Sequence, residues 1–225
     1  MENLKGFFDS FKEFIWDIIG YLLPGSYVII LLSICINSSF FLNTTLSCEQ
    51  NESYNFVFII VSYVIGYVVY GIGVFKERIL GKYSYIKKTE ESVSKRPAFN
   101  SAKQLISKAY QNKGVTTDLT YASVRDLRSI TMGFIPEQDY KIYTFTFRAD
   151  ISNHTGFMSL IIGVLGLLFS IFNSIPLTIF KTSTTYVLFY ICLIICYLFL
   201  RETRNKFYAI SLGLPFSIYT AQSLK

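Results

Sequence analysis

The chain has 225 residues, of which 52% are hydrophobic and 16% charged, with a formal net charge of +6. Soluble domains carry roughly 25% charged residues, so this composition excludes an ordinary water-soluble fold. Four runs of about 17 to 25 mostly apolar residues are each long enough to cross a hydrocarbon core of about 30 Å as a helix. They point to an all-α polytopic membrane protein with four transmembrane helices, an N-terminal amphipathic helix and a helical cytoplasmic segment.

In chain order, the first apolar run extends from Phe14 to about Phe41 and is interrupted by Pro24 and Gly25. Proline lacks an N–H and disfavours helical geometry in its predecessor, so a break is expected there. Residues 1–23 then form an interfacial helix, with Leu4, Phe7, Phe8, Phe11 and Ile15 on one face and Lys5, Asp9, Lys12 and Glu13 on the other. The alternative is a longer kinked span starting near Phe14, since membrane helices tolerate proline. Glu2, Asp9, Glu13 and Asp17 surround this run and no small-residue cleavage pattern follows it, which argues for a retained segment rather than a secretory signal. The second span is expected from Phe56 to Phe75, so that residues 24–75 hold the first two crossings.

Residues 76–154 form the cytoplasmic segment. Phe75, Ile79, Tyr83 and Ile86 fall near one helical face, which extends the second span outward, and the polar stretch Glu90 to Asn100 with Pro97 reads as a linker. Ser101 caps a helix carrying Ala102, Leu105, Ile106, Ala109 and Tyr110 and ending near Gly114. Thr117 or Asp118 opens another through Leu119, Ala122, Val124, Leu127 and Ile130, with Gly133 as its stop. After Pro136, Tyr143 to Phe147 alternates as a strand would, but Tyr140, Tyr143, Phe147, Ile151 and His154 recur with helical spacing. A lone strand has no partner in this segment, so a helix running from Pro136 into the third span is expected. Within residues 155–200 the third span covers Gly156 to Ile175, closed by Pro176, and the fourth covers Thr184 to Leu200, closed by Arg201. Residues 201–225 are left as a cytoplasmic tail.

The cations set the orientation. Twenty of the 21 Lys and Arg fall before the first span, between the second and third, or after the fourth; Lys181 alone lies on the other side. By the positive-inside rule both termini and the long segment are cytoplasmic, in a bacterial inner membrane for a chain this rich in Ile, Asn, Lys and Tyr. Anionic inner-leaflet lipid accounts for the net positive charge without a nucleic-acid partner. Nucleic acid is the less favoured reading even for the most basic run, Lys87, Lys88, Lys95 and Arg96.

Chemistry is sparse. A single histidine removes most metal sites and triads, so no catalytic, metal or cofactor residue is assigned. Arg148, Asp150, Asn153 and His154 precede the third span, and Asp150 and His154 share a helical face at i,i+4. An acid/base pair there could serve a lipid-modifying enzyme; ion-pair or gating contacts at a coupling junction are the favoured reading. Cys35, Cys192 and Cys196 lie within spans, where a thiol behaves as a small apolar group, and Cys48 is alone in the outer loop. The sequons at Asn37, Asn43 and Asn51 are incidental in a bacterial protein.

Packing signals are stronger. Ser159, Gly163, Gly166 and Ser170 repeat along the third span and Ser62 and Gly66 along the second, in the small-residue pattern that lets helices approach closely in lipid. Such faces serve intrachain packing or a homo-oligomer equally well. Tyr63, Tyr67 and Tyr70 make a stripe on the second span that either lines a pore or hydrogen-bonds between helices, the latter being favoured. Spans two to four contain no Asp, Glu, Lys, Arg or His, which argues against an ion-coupled transporter.

Gly20-Tyr21-Leu22-Leu23-Pro24-Gly25 at the first crossing and Phe147-Arg148-Ala149-Asp150 leading into the third resemble small bacterial four-span inner-membrane proteins. They are also similar to the membrane subunits of phage-defence systems such as Kiwa-type pairs. The resemblance covers two edges of the membrane region. It implies an oligomer working with a cytoplasmic protein partner, and no catalytic residue. The expected function is therefore non-enzymatic: an oligomeric inner-membrane protein, a defence sensor/effector or channel-like protein, that couples a cytoplasmic partner or signal to the membrane, with a passive anchor or scaffold as the alternative and a lipid-modifying enzyme the less favoured one.

The cation split predicts that Cys48 labels with an impermeant maleimide in intact cells while Thr89→Cys labels only after permeabilisation. The reverse pattern would invert the topology.

Overall fold

A computed structural model describes residues 2–37, 52–81, 85–114, 119, 121–135, 139–172 and 179–224. Seven helices account for them: α1 (Glu2–Cys35), α2 (Glu52–Leu80), α3 (Tyr85–Ser94), α4 (Pro97–Asn112), α5 (Val124–Met132), α6 (Asp139–Ile171) and α7 (Thr184–Ser223). No strand occurs among the described residues, only an isolated antiparallel bridge between Ile36 and Phe180. Four helices contain stretches long and apolar enough to cross a membrane: Ile18–Cys35, Asn55–Leu80, Lys141–Ile171 and Thr184–Ser223. The chain is thus an all-α polytopic membrane protein. The side-chain faces proposed for residues 2–17, the outer-loop Cys48, Asn43 and Asn51, the start at Thr117 or Asp118, Pro136 and the stop at Pro176 lie outside the described residues.

The helix expected after Pro136 is present, unbroken from Asp139 to Ile171. Two expected ends are corrected. The break at Pro24 is absent, because α1 passes straight through it. Proline costs a helix one backbone hydrogen bond, but Pro24 is buried and flanked by close helix contacts at Tyr21 and Gly25 that hold the geometry. The fourth helix does not stop at Arg201 but continues to Ser223. Charge marks where a helix leaves lipid; it does not unwind it, since Arg is a good helix former. The 40 residues of α7 rise roughly 60 Å at about 1.5 Å each, well beyond one bilayer core.

Two compact units divide the chain, Met1–Lys76 with Asp150–Glu202, and Glu77–Ala149 with Thr203–Lys225. In the first, the membrane unit, Leu31 and Cys35 of α1 pack with Ile162 of α6 and Tyr190 and Leu193 of α7, and Val28 packs with Val69 of α2 and Met158 of α6. Tyr27 Oη and Ser159 Oγ share a 2.6 Å hydrogen bond between α1 and α6. The C-terminal end of α1 would otherwise expose carbonyls. There Asn37 N–H donates to the Ile179 carbonyl and Lys181 N–H to the Cys35 carbonyl, while Lys181 Nζ donates to the Ile34 carbonyl at 2.9 Å.

In the second unit, Val93, Phe99, Ala102, Ile106, Val124 and Leu127 of α3, α4 and α5 form a core with Leu119 and with Leu212 and Phe216 of α7. The linker expected over Glu90 to Asn100 is helical except at Lys95 and Arg96: α3 runs on to Ser94, and α4 starts earlier than expected, at Pro97, because proline suits a first helical position where no N–H partner is needed. Helix α5 starts later than expected, because Leu119 and Ala122 precede it, and it opens on a reciprocal capping box: the Asp126 N–H donates to Ser123 Oγ and the Ser123 N–H to the Asp126 carboxylate. The Ser123 hydroxyl also donates to that carboxylate and holds its pKa below the ordinary value.

The tightest contact in the membrane unit is between backbones. A Cβ on Gly25 would strike the Ser62 carbonyl, and a Cβ on Gly66 would strike the Tyr21 carbonyl. Gly71, on the exposed side of α2, has nothing within 4 Å of the same position. Gly66→Leu should therefore destabilise the detergent-solubilised protein by about 3 kcal/mol or more, since a backbone cannot yield as a side chain does. Gly71→Leu should stay within about 0.5 kcal/mol of wild type. Denaturant titration followed by helix content measures both, and equal losses at the two sites would show that α1 and α2 do not cross there.

Candidate functional site

The residues with chemical character in the membrane unit gather along one side of α2. Its inward seam is Ser62, Gly66, Val69 and Gly73, all buried. Beside it runs the stripe Tyr63, Tyr67 and Tyr70. Tyr21 of α1 stacks on Tyr67 with ring centroids 3.9 Å apart and meets Tyr63 and Tyr70 edge-on at 5.9 and 5.7 Å. Tyr63 donates its hydroxyl hydrogen to Tyr67 Oη at 3.2 Å. The stripe therefore binds α1 to α2, with Tyr67 and Tyr70 still about half exposed at 49% and 41%.

Toward the end of α2 the stripe meets α6. The His154 ring lies 5.1 Å from that of Tyr70 and 2.8 Å from where a Gly73 Cβ would stand, so glycine is what admits the imidazole. His154 is 5% exposed. Next to it Lys76 Nζ donates to Asn153 Oδ1 at 2.8 Å and lies 4.7 Å from the centre of the Phe157 ring. This cation–π contact suits an ammonium at a partly dry boundary.

The four residues expected at a coupling junction share α6 but reach different neighbours. Asn153 and His154 contact α2; Asp150 is exposed; Arg148, in the second unit, lies over the Phe207 ring at 5.6 Å. The small-residue faces are filled from within the chain. Gly163 faces the Tyr190 carbonyl and Ile194 of α7, Gly166 faces the Tyr190 ring, and Ser62 and Gly66 face α1. Ser159 bonds Tyr27, and Ser170 donates to the Gly166 carbonyl of its own helix. The Ser62 hydroxyl is buried and has no hydrogen-bond partner among the described residues.

The second unit holds a largely buried ion pair. Arg204 Nη2 donates to Glu77 Oε1 at 2.7 Å, with side-chain exposures of 9% and 15%. The Arg204 guanidinium also lies 5.4 Å from the Tyr85 ring centre. Arg125 pairs with Glu90 nearer the surface, and Arg128 Nε donates to the Ser211 carbonyl of α7 at 3.4 Å. These contacts join α2, α3 and α5 to the extension of α7.

Sequence reasoning missed Gly25, Gly73, Tyr21 and the Glu77–Arg204 pair. Gly73 carried a signal, since Ser62, Gly66 and Gly73 share one helical face; Gly25 was masked by its reading as a breaker beside Pro24. A pair separated by 127 positions leaves no local trace. Comparisons with protein-family models, with curated proteins and with solved structures found no match.

Breaking the buried pair with Glu77→Ala should cost about 3–5 kcal/mol, because it leaves the Arg204 charge without its carboxylate. The double variant Glu77→Leu/Arg204→Met should recover most of that stability in the same denaturant titration. A single variant as stable as wild type would place Arg204 in water.

Proposed function

We propose that this is a non-enzymatic membrane protein that couples a cytoplasmic partner or signal to the bilayer, in a bacterial inner membrane with both termini cytoplasmic. One observation carries the reading: α2, α6 and α7 each run without interruption through the positions where the two units divide, at residues 76/77, 149/150 and 202/203. A helix resists bending because every turn is held by i to i−4 hydrogen bonds, so a displacement at one end reaches the other. A flexible tether would suffice for an anchor. The α7 extension also contributes Leu212 and Phe216 to the core of the second unit, so that core includes part of a membrane-crossing helix.

The cation distribution supports the orientation. The second unit carries sixteen Lys and Arg against seven Asp and Glu, as a cytoplasmic face opposite anionic lipid requires. A protein partner with an acidic surface suits the same charge. The likeness to phage-defence membrane subunits makes defence the first context to test. Self-association in this reading uses the outward face of α2, where Val64, Val68 and Phe75 are exposed, since the glycine faces are occupied. No catalytic step or cofactor is assigned.

Insertion of Gly-Gly between Ala149 and Asp150 should uncouple the units, each glycine weakening the helix by about 1 kcal/mol relative to alanine. Cells carrying the gene with its native neighbours would be scored for phage survival and membrane potential, alongside co-purification of bound protein. The coupling reading expects lost activity with retained expression and partner capture. Full activity in the insertion variant would establish the anchor reading instead.

A further inference from the structure

Helix α7 is continuous to Ser223, yet within the second unit it contains Gly213 and Pro215. Proline has no N–H, so the carbonyl of Ser211, four residues earlier, loses its helical donor. Ser211 is 2% exposed, so water does not stand in for that donor. Arg128 of α5 does, with Nε donating to the Ser211 carbonyl at 3.4 Å. Gly213 lies between the two positions and weakens the helix further, because glycine has the most conformational freedom to regain. The Arg96 guanidinium rests against it, with Nη1 2.8 Å from where a Gly213 Cβ would stand. Two arginines from outside α7 thus meet it where its own hydrogen-bond ladder is interrupted. Beyond this joint the last turns of α7 lie on the core of the second unit. Phe216 is buried and edge-on to Phe99 at 5.1 Å, the Tyr219 ring lies 5.3 Å from that of Phe134, and Thr220 Oγ1 donates to the Ala98 carbonyl at 3.5 Å.

We infer that residues 215–223 are a strap hinged at Ser211 to Pro215, and that Arg128 is the latch that holds it closed. Helices bend where proline or glycine interrupts them, and this stretch holds both. With Arg128 on the Ser211 carbonyl the buried acceptor is satisfied in the straight helix. Without it the acceptor is orphaned, and bending at the joint is what admits water to it. The bend lifts Phe216 off Phe99, while Leu212, on the near side of the joint, keeps its place in the same core. The core of the second unit therefore opens at one end without unfolding, and Arg128 sets how often.

The test is amide hydrogen exchange, read by mass spectrometry on the full chain purified in mild detergent. In wild type the amides of residues 216–223 should exchange faster than those around Ile106 in α4, because lifting the strap is a local opening. Arg128→Met keeps the length of the side chain and removes its donors. It should raise exchange in the strap about tenfold, the size of one hydrogen bond from a charged group, and leave the amides around Ile106 unchanged. Pro215→Ala returns an N–H to the Ser211 carbonyl and should slow the strap below wild type. In that background the same Arg128→Met change should alter exchange by less than about twofold, since the latch and the restored N–H serve one acceptor. Should Arg128→Met not fold, Arg128→Lys carries the comparison, with a smaller rise that Pro215→Ala again abolishes. Equal rises in the two backgrounds would make Arg128 an ordinary packing residue and overturn the latch. A strap that exchanges only together with the amides around Ile106, or faster exchange in Pro215→Ala, overturns the hinge.

Discussion

Where α1 crosses α2, backbone meets backbone: Gly25 lies against the Ser62 carbonyl and Gly66 against the Tyr21 carbonyl. Lipid tails are as apolar as leucine, so helices in a bilayer gain little from hiding apolar surface, and close van der Waals contact must hold them together. The crossing has consequences along both helices. It clamps α1 on either side of Pro24, which keeps that proline inside a helix, and it brings the Tyr21 ring onto Tyr67. Ser62, Gly66, Val69 and Gly73 are the fully buried positions of α2 over this stretch, with Tyr63, Ile65 and Ile72 half-buried beside them.

The same economy governs the polar groups of the membrane unit. Hydroxyls and carbonyls away from water need partners, and they find them across helices. Tyr27 pairs with Ser159, Tyr190 donates to the Lys181 carbonyl at 2.8 Å, and Lys181 ties down the end of α1. The tyrosine stripe is an extension of this logic to rings whose faces are apolar and whose tips are polar. It is interhelical glue, with an edge at Tyr67 and Tyr70 left exposed.

The second unit faces a different constraint. Its segment between α2 and α6 is small for an independent core, and chains of that size bury too little surface to be comfortably stable. The extension of α7 supplies what is missing, with Phe216 edge-on to Phe99 at 5.1 Å and Arg204 completing the pair with Glu77. The α7 extension thus completes the core of the second unit.

Apolar run length was enough to show an all-α, four-span membrane protein, since about 20 apolar residues have no other comfortable place. Helical periodicity was enough to find the end of α5 at Gly133 and the continuous helix from Asp139 into the third span, but it placed the start of α5 too early, since the apolar Leu119 and Ala122 that seemed to belong to its face lie before the Ser123 cap. These are local properties, written in neighbouring residues. The persistence of α1 through Pro24 was not legible, because it depends on packing against α2, far away in the chain; that of α7 past Arg201 was missed because a charge was taken for a helix end, although arginine favours a helix. The sequence showed Ser62, Gly66, Gly163 and Gly166 as a small-residue pattern but left open whether a second copy or the same chain fills it. The tertiary structure places α1 and α7 there. Likewise Lys76 and Asn153 are unremarkable until α2 and α6 lie side by side, for a hydrogen bond between positions 77 residues apart is set by helix packing and by nothing in the local pattern.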